Sequence, residues 1–429
     1  MASAAPLATL PDWLEHLQSL HPQAIALGLE RVQQVLSCLD IAFACPVITV
    51  AGTNGKGSTC AMLASILGRA GYRAGLYTSP HLLRYNERVV IDGVNASDDA
   101  LCASFATVER ARGDIALTYF EFGTLAAFVL FAAARLDALV LEVGLGGRLD
   151  AVNVIDADIA VLTRVGIDHV DYLGSTREAI GFEKSGIFRA GRVAVIGERD
   201  IPRSVTTRAQ YGDVRLVRLG HEYDFVDERT QWRYSGPGGS RYGLPVPALR
   251  GAFQLANAAT ALAVVDLLRE RLPVAAGAVR DGLVHVQWPG RFQVLPGRPL
   301  TVLDVAHNPQ AAQVLAGALG EMGFHPYTYA VFAALADKDV EGVVRAVAPR
   351  IDRWFIAPLP GARGQSAEAL RARMVAGGVA DDAIDASTDI ARALDKAREA
   401  AAEADRIVVF GSFGTVAAAL AAGAASLSP

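Results

Sequence analysis

The sequence predicts an α/β fold in which a P-loop parallel-sheet domain with a small antiparallel excursion is followed by a smaller Rossmann-like α/β domain. Short apolar runs alternate twice with helical patterns, the order that builds a parallel sheet covered by helices on both faces. A glycine-rich turn with one lysine joins an early apolar run to a helix. Prolines and glycines cluster between residues 289 and 299, where they indicate a linker between the two series.

Composition narrows the class of protein. At 429 residues the chain is long for one domain, and 52% hydrophobic with 20% charged residues is typical of a well-packed globular protein. The net charge of −5 argues against a nucleic-acid-binding surface, and the four cysteines show no metal-site spacing. The most apolar stretch, residues 124–134, is too short to span a bilayer, and the first residues lack a secretory pattern. We therefore expect a monomeric cytoplasmic protein that binds neither nucleic acid nor a membrane.

The first series of elements begins with an amphipathic helical segment over residues 12–40, where Trp13, Leu14, Leu17 and Leu20 recur at helical spacing. Strands are predicted at 73–78, 138–143, 159–163 and 193–197. Helices are predicted at 60–71, 98–112, 120–135 and 176–188. Aromatic residues interleaved with glycine and serine over 221–247 indicate the antiparallel excursion.

The second series follows a helix-rich segment at 257–283 and the linker at 292–299. Its strands are predicted at 300–304, 327–333, 353–357 and 406–410, and residues 417–425 are predicted to form a final helix. The sequence therefore predicts one domain over 1–295 and a second over 296–429.

The stretch Val47-Ile-Thr-Val-Ala-Gly-Thr-Asn-Gly-Lys-Gly-Ser-Thr59 has the order strand, glycine-rich turn, helix that holds nucleotide phosphates. Glycines let backbone N–H groups converge on an anion, the helix N-terminus adds partial positive charge, and Lys56 can reach the terminal phosphates. The spacing differs from the common phosphate loop because Gly57 stands between Lys56 and Ser58. The alternative interpretation is a strand-to-helix turn without a ligand.

Polar residues follow other predicted strands, at the sheet edge where ligands of parallel sheets gather. Glu142 comes directly after an apolar strand and before a glycine-rich turn, which suits a hard cation beside a phosphate. An ordinary strand-end acid is the alternative. Ser79 closes another strand and is either a magnesium contact or a helix cap before Pro80.

A histidine between two acids and a lysine on a helix have two interpretations each. Asp168 and Asp171 flank His169, which suits metal ligation or a general base but also a hydrogen-bonded loop. Lys184 lies on a predicted helix, where lysines are normally solvated. A buried, neutral lysine can instead react with carbon dioxide and become a carbamate, an anionic oxygen ligand.

The second half contains a further strand-to-helix turn with an acid and a histidine, Asp304-Val-Ala-His307. Arg291 precedes the linker and can reach a phosphate. The alternatives are a helix N-cap for Asp304 and a surface ion pair for Arg291.

Taken together, these segments resemble the bacterial dihydrofolate synthase/folylpolyglutamate synthase family of the Mur ligase superfamily. Eight motifs occur in the family's order over nearly the whole chain. They are Gly52-Thr-Asn-Gly-Lys-Gly-Ser58, Thr78-Ser-Pro-His-Leu82, Glu142-Val-Gly-Leu-Gly-Gly-Arg-Leu-Asp150, Asp168-His169, Glu183-Lys-Ser-Gly-Ile187, Asn257-Ala-Ala-Thr-Ala261, Pro289-Gly-Arg-Phe292 and Asp304-Val-Ala-His-Asn-Pro309.

The resemblance implies a role for each segment. Three groups of residues would bind ATP, the metal and the substrate, in that order. The ATP contacts implied by the resemblance are Thr53, Asn54, Gly55, Lys56, Gly57, Ser58, Asn257, Arg291 and Asp304. The implied magnesium ligands are Ser79, Glu142, His169 and Lys184, the last as a CO2-derived carbamate, with two ions expected. The implied pterin contacts are Ile25, Ala26, Leu27, Thr118, Tyr119, Phe120, Glu121, Leu149, Asp150 and Ala151. Lys56, Lys184 and His169 would then be the catalytic residues.

The implied reaction is an ATP-dependent ligation of L-glutamate to dihydropteroate and of further γ-linked glutamates to reduced folates, through an acyl phosphate. A Mur-type or other peptide ligase with a non-folate acceptor is the nearest alternative. A GTP-binding switch is disfavoured because Ala336-Asp337-Lys338-Asp339 lacks the guanine-specifying pattern. Two positions depart from the family pattern: Ala26 stands where relatives commonly have an acid, and Gly414 where they often have histidine.

Overall fold

The computed structural model describes residues 7–23, 25–251 and 253–425. These residues form two compact units. Unit 1 contains the described residues up to Val165 together with Thr176–Val246 and Ala256–Val286, and unit 2 contains Gly166–Ser175, Pro247–Leu255 and the described residues from Gln287 onward. The predicted boundary between residues 295 and 296 stays a prediction.

Helices and strands alternate along most of the described chain. The helices are α1 (Leu10–Ser19), α2 (Glu30–Leu39), α3 (Lys56–Arg69), α4 (Asp98–Arg112), α5 (Tyr119–Ala133), α6 (Val170–Leu173), α7 (Arg177–Lys184), α8 (Arg203–Tyr211), α9 (Phe253–Leu267), α10 (Ala276–His285), α11 (Pro309–Glu321), α12 (Val340–Val347), α13 (Ala367–Ala376), α14 (Ile390–Ala400) and α15 (Phe413–Ala425). The strands are β1 (Val47–Ala51), β2 (Ala74–Tyr77), β3 (Val89–Ile91), β4 (Val94–Asn95), β5 (Ala138–Glu142), β6 (Ile159–Leu162), β7 (Val193–Ile196), β8 (Arg215–Arg218), β9 (Asp224–Asp227), β10 (Gln231–Gly236), β11 (Gly239–Pro245), β12 (Gln293–Leu295), β13 (Leu300–Leu303), β14 (Thr328–Phe332), β15 (Arg353–Ile356), β16 (Ile384–Ala386) and β17 (Arg406–Phe410).

Unit 1 is built on a sheet of eight strands in the order β4-β3-β2-β5-β1-β6-β7-β8. The strands from β2 to β8 in this order run parallel, and β3 and β4 form an antiparallel edge. Every residue of β1 and β5 is buried, as expected of parallel strands covered on both faces. Because β1 lies between β5 and β6, the carboxyl ends of these three strands meet at one edge.

The predicted antiparallel excursion is a separate sheet with the order β11-β10-β9. Asp266 on α9 fastens this sheet to the rest of unit 1, since its buried carboxylate accepts hydrogen bonds from the Tyr234 hydroxyl at 2.8 Å and the Gly238 N–H at 2.9 Å. Arg241 adds an ion pair at 2.7 Å. A charged pair with additional donors is the arrangement that makes a buried carboxylate tolerable.

Unit 2 contains a sheet of six strands in the order β12-β13-β17-β14-β15-β16. The five strands from β13 to β16 in this order are parallel, and β12 pairs antiparallel with β13. The α/β fold class is therefore confirmed in both halves of the chain. None of the helices in the described ranges combines the length and the apolar character needed to cross a bilayer.

Several predicted helix boundaries differ from the structure, two of them in ways that matter here. The segment 12–40 is two helices, α1 and α2, because Pro22 and Gly28, whose φ is +150°, lie between them. The helix predicted to begin at residue 60 begins at Lys56, so the end of the glycine-rich turn is itself its first turn.

Candidate active site

The glycine-rich turn between β1 and α3 is held in place by the end of β6. The Thr53 N–H donates to the Arg164 carbonyl at 2.6 Å. The Thr163 hydroxyl donates to the carbonyls of Asn54 at 2.8 Å and Ala51 at 3.2 Å. These bonds fix the backbone path of the turn before any ligand binds, which is the preorganisation that an anion site requires.

Two glycines of this turn stand where another residue would not fit. Gly55 has φ +89°, and a Cβ on it would lie 2.7 Å from Oδ1 of Asn257. Gly52 has φ +153°, and a Cβ there would lie 1.9 Å from the Thr163 hydroxyl oxygen. The close approach also brings Asn257, a predicted ATP contact on α9, beside the turn.

Two lysines converge on the turn. The Nζ atoms of Lys56 and Lys184 each donate to the Gly52 carbonyl at 3.1 Å. Lys184 lies at the end of α7 and is only 5% exposed. The interpretation of Lys184 as an ordinary solvated helix lysine is therefore wrong, and two lysine side chains lie at the site predicted for phosphates.

Oxygen donors lie at the neighbouring strand ends. Glu142 ends β5, is 4% exposed, and accepts a hydrogen bond from the Ser79 N–H at 3.3 Å. Ser79 does not cap an α-helix, since a short 3-10 turn (Tyr85–Arg88) comes next in the described chain. The described residues contain no group of three or more His, Cys, Asp or Glu arranged for a metal. One carboxylate and one hydroxyl beside a phosphate site still fit Mg²⁺, which usually takes one or two protein oxygens together with substrate phosphates.

In the turn between β13 and α11 of unit 2, side chains accept hydrogen bonds from the backbone N–H groups. The Asp304 carboxylate accepts from the Phe292 N–H at 2.8 Å and from the Ala306 N–H at 2.7 Å. Burial raises the pKa of Asp304, while the nearby Arg291 acts in the opposite direction. The N-cap of α11 is Asn308, so the N-cap interpretation of Asp304 is wrong. The Arg291 guanidinium lies 5.0 Å from the centroid of the Phe413 ring.

Asp168 is the centre of a charged cluster in unit 2. Lys338 donates to its carboxylate at 2.7 Å, Asn308 donates at 3.2 Å, and Nε2 of His307 lies 3.4 Å away. Burial raises the pKa of Asp168, but the hydrogen bond and charge of His307 and the charge of Lys338 outweigh it and hold the pKa well below its usual range. The same carboxylate accepts the His169 N–H at 2.8 Å. Asp168 therefore fixes the backbone that carries His169.

Asp171, the second acid predicted beside His169, is exposed and does not join this cluster. The described contacts thus favour a structural role for Asp168 and none for Asp171. Lys338 contacts Asp168, a residue 170 positions earlier in the chain, and the sequence spacing does not predict this contact.

The three segments predicted to contact pterin lie together in unit 1. Arg31 joins two of them, because it donates to the Ala26 carbonyl at 2.8 Å and forms an ion pair with Glu121 at 2.7 Å. A backbone hydrogen bond of 3.3 Å from the Gly28 N–H to the Leu149 carbonyl connects the third segment to the first. Arg31 was not identified from the sequence, although it is the residue that connects the segments.

Asp150 and Phe120 form the polar and apolar parts of this region. The buried Asp150 carboxylate accepts from the Leu145 N–H at 2.8 Å and the Val152 N–H at 3.0 Å. Burial raises the pKa of Asp150 to about 6, against the opposing effects of these hydrogen bonds and of the Lys56 charge. The Phe120 ring covers Gly144, where a Cβ would lie 2.6 Å from the ring.

Two family models match the chain, and together they cover most of it. Residues 50–265 match the Mur ligase middle domain, and residues 290–413 match the Mur ligase glutamate ligase domain. The dihydrofolate synthase/folylpolyglutamate synthase of Escherichia coli is 45% identical over 416 residues, covering 97% of this chain and 95% of that protein. The chain belongs to the dihydrofolate synthase/folylpolyglutamate synthase family of Mur ligases.

Other members of this Mur ligase family agree in sequence and fold. The Haemophilus influenzae protein of the same name is 39% identical over 438 residues and covers 97% of both chains. The structure of Escherichia coli FolC in complex with DHPP and ADP has a TM-score of 0.93 and 43% identity, covering 99% of this chain and 100% of that one. A bifunctional folylpolyglutamate synthase/dihydrofolate synthase structure with Mn, AMPPNP and L-glutamate bound has a TM-score of 0.89 and 45% identity, covering 97% and 98%.

Proposed function

We propose that this member of the family joins L-glutamate to 7,8-dihydropteroate and then extends reduced folates by γ-linked glutamates, using ATP. One observation carries the proposal: the predicted pterin region and the lysine-bearing glycine-rich turn are neighbours in unit 1. The glycine-rich turn follows β1, and the segment that carries Asp150 follows β5, which pairs with β1 in the sheet. A substrate held by Asp150 would have its reactive end near the phosphate site. Relatives that bind ADP with DHPP, or AMPPNP with L-glutamate, support the same assignment.

The chemistry follows from the inertness of a carboxylate toward an amine. One carboxylate oxygen attacks the γ-phosphorus of ATP, the bond to the β,γ-bridging oxygen breaks, and ADP leaves. The glutamate amine then attacks the acyl phosphate, loses a proton, and phosphate departs as the amide forms. Lys56 would neutralise charge on the transferred group, since positioning and electrostatics supply most of such catalysis.

Thr53, Asn54, Gly55, Gly57, Ser58 and Asn257 are proposed to position the nucleotide with Lys56, and Arg291 and Asp304 are proposed as further ATP contacts. Ser79, Glu142, His169 and a carbamate on Lys184 would hold two Mg²⁺ ions. Such ions stabilise negative charge on phosphoryl groups when they are bound. Ile25, Ala26, Leu27, Thr118 to Glu121, and Leu149 to Ala151 are proposed to contact the pterin. The monomeric state and cytoplasmic location stay predictions for size-exclusion chromatography and cell fractionation.

The carbamate on Lys184 is supported by burial. Lys184 is 5% exposed, and burial in general penalises a charged ammonium group. A neutral amine adds to CO2 and releases one proton, giving an anionic oxygen ligand. Lys184→Ala should be nearly inactive, and a small carboxylic acid should restore part of the rate by replacing the lost oxygens.

Lys184→Arg is the matched control because it keeps the positive charge but does not form the carbamate. It should stay inactive. An active arginine variant would show that this position contributes charge alone.

The test of the function itself uses purified protein, ATP, magnesium and radiolabelled glutamate. Dihydropteroate, tetrahydrofolate and a muramyl peptide are offered as separate acceptors. We expect labelled product with the first two acceptors and none with the muramyl peptide. Incorporation only with the muramyl peptide would replace the proposal with a Mur-type peptide ligase.

A further inference from the structure

Arg88 is a buried arginine whose charge is not paired within the described residues. It is the last residue of the 3-10 turn Tyr85–Arg88 and directly precedes β3. It is only 9% exposed, and no carboxylate in the described part of the chain forms an ion pair with it. Removing a charge from water is costly unless an opposite charge compensates it. The guanidinium therefore indicates an anionic partner that is not part of the chain.

Three side chains fix the position of this guanidinium. Its Nε donates to Nδ1 of His81 at 2.8 Å. Its central carbon lies 5.2 Å from the centroid of the Tyr85 ring and 5.4 Å from the centroid of the Tyr119 ring. The attraction between a guanidinium and aromatic rings is smaller than the cost of burying its charge. The two rings therefore orient Arg88 but do not replace an anion.

These contacts leave most of the N–H donors of Arg88 available. A guanidinium carries donors on three nitrogens, and the bond to His81 uses only the one on Nε. The two terminal nitrogens have no acceptor among the residues that the structure describes. Two parallel N–H groups of a guanidinium match the two oxygens of a carboxylate. The available edge of Arg88 therefore suits a carboxylate.

Arg88 lies between two segments of unit 1 that are predicted to form the active site. Its carbonyl accepts from the Thr78 N–H at 3.0 Å, next to Ser79, a predicted magnesium contact. Its guanidinium lies against Tyr119, a predicted pterin contact. An acceptor that extends from the pterin contacts toward the phosphate site would therefore pass Arg88.

The chemistry of the two acceptors decides which carboxylate fits. Dihydropteroate has a single carboxylate, and one of its oxygens must attack phosphorus, so a contact to both oxygens would oppose the reaction. The terminal glutamate of a folate has two carboxylates, of which the γ-carboxylate reacts and the α-carboxylate does not. A paired contact to the α-carboxylate leaves the reacting group unhindered. The α-carboxylate is therefore the better partner for Arg88.

We propose that Arg88 binds the α-carboxylate of the terminal glutamate of a folate acceptor. The inference rests on the proposed function, in which dihydropteroate and reduced folates use the same site. Dihydropteroate lacks an α-carboxylate and binds without this contact. Arg88 is thus a specificity-determining residue for chain extension, and His81 positions it.

The first test compares the KM values for tetrahydrofolate, dihydropteroate and L-glutamate in Arg88→Met. The KM for tetrahydrofolate should rise about thirtyfold, the scale of losing hydrogen bonds between charged groups, while the other two values stay unchanged. Arg84→Met is the matched control, because Arg84 belongs to the same segment but is exposed and pairs with Asp98. All three KM values should stay unchanged in the control.

Two results of this test would overturn the inference. An equal rise for both acceptors would show that Arg88 acts on the pterin or on the shape of the site. A rise for L-glutamate alone would assign Arg88 to the incoming amino acid. The proposed function fails in a different way, since the unmodified protein would then form no labelled product with either folate-type acceptor.

The second test removes the same contact from the ligand. Tetrahydrofolate with its α-carboxylate converted to an amide is compared with tetrahydrofolate by isothermal titration in the presence of a non-hydrolysable ATP analogue. The unmodified protein should bind the amide about thirtyfold more weakly, whereas Arg88→Met should bind both ligands equally, because the two changes remove one interaction. A purely structural role for Arg88 predicts that both ligands weaken alike and that the amide keeps its full penalty in the variant. That result would overturn the inference.

Discussion

Each of the two large sheets contains a strand–turn–helix unit, β1–α3 in unit 1 and β13–α11 in unit 2, and the two turns are built in different ways. The first turn is glycine-rich, and its N-cap Gly55 offers no side-chain cap to α3. In the second turn Asp304 accepts the Ala306 N–H, and Asn308 caps the Ala311 N–H. Side chains of the second turn thus bind its own N–H groups, whereas the N-cap of α3 is a glycine without a side chain to do so.

The difference teaches what each turn can bind. A turn that keeps its N–H groups directed at a common point suits phosphate. A turn whose donors are already used by a carboxylate presents side chains instead, here Asp304 and His307. We therefore propose that the backbone of the glycine-rich turn in unit 1 binds phosphate.

The largest effect is expected at Lys56, which contacts the first turn directly. Lys56→Ala should reduce ligation about a thousandfold, the scale of losing one preorganised charge contact, while the circular dichroism spectrum stays unchanged. Lys396→Ala is the control, because Lys396 pairs with Asp385 and donates to the Ala386 carbonyl within unit 2. Turnover of the Lys56 variant at the rate of the unmodified enzyme would remove the glycine-rich turn from the mechanism.

A pair of opposite substitutions compares the two turns. Gly55→Ala should weaken ATP binding about a hundredfold, because the positive φ and the approach to Asn257 leave no room for a Cβ. Ala306→Gly should change ATP binding by less than about threefold, since the second turn needs only the N–H of residue 306. Isothermal titration with a non-hydrolysable ATP analogue gives both values. Equal losses of affinity for the analogue in the two variants would contradict the difference between the two turns.

Asp304→Asn should destabilise unit 2. The carboxylate accepts two N–H groups, whereas an amide has only one acceptor oxygen, so one buried donor loses its partner. We expect this loss to lower the free energy of unfolding by about 2 kcal/mol. Denaturant unfolding would measure the loss. A stability equal to that of the unmodified protein would show that Asp304 does not organise the turn.

The smallest effect concerns pH and the buried carboxyl of unit 1. The pKa of Asp150 is raised by burial to about 6 from its ordinary value of 3.8, so the folded state favours the protonated form. That stabilisation is fully present below the pKa of Asp150 in the unfolded chain. It is lost as the pH rises through the pKa of about 6 in the folded protein. Between pH 5 and pH 7 the loss is about 1 kcal/mol.

Asp150→Asn should remove this slope from a plot of unfolding free energy against pH. Asp304→Asn should also change the slope, because burial raises the pKa of Asp304 as well. An unchanged slope in Asp150→Asn would contradict this account of Asp150.

Local patterns were enough to predict the fold class, the glycine-rich turn and most buried strands, because each depends on neighbouring residues. The break between α1 and α2 was missed although Pro22 and Gly28 signal it. Arg31 and Lys338 were missed for another reason. Their partners Glu121 and Asp168 are 90 and 170 residues away, and tertiary packing alone brings them together.

The roles of Lys184 and Asn257 were assigned through family resemblance. A lysine at a helix end or an asparagine on a helix does not indicate a function by its local sequence. Their positions beside the glycine-rich turn depend on how α7 and α9 pack in unit 1. The local sequence of either helix does not encode that packing.

The measurement that tests the central claim most directly follows the carboxylate oxygens of dihydropteroate labelled with ¹⁸O. Transfer of the γ-phosphoryl group to the carboxylate predicts one labelled oxygen in each inorganic phosphate released, ADP without label, and the other labelled oxygen in the new amide. Label found in AMP, or phosphate released without label, would contradict phosphoryl transfer at the glycine-rich turn.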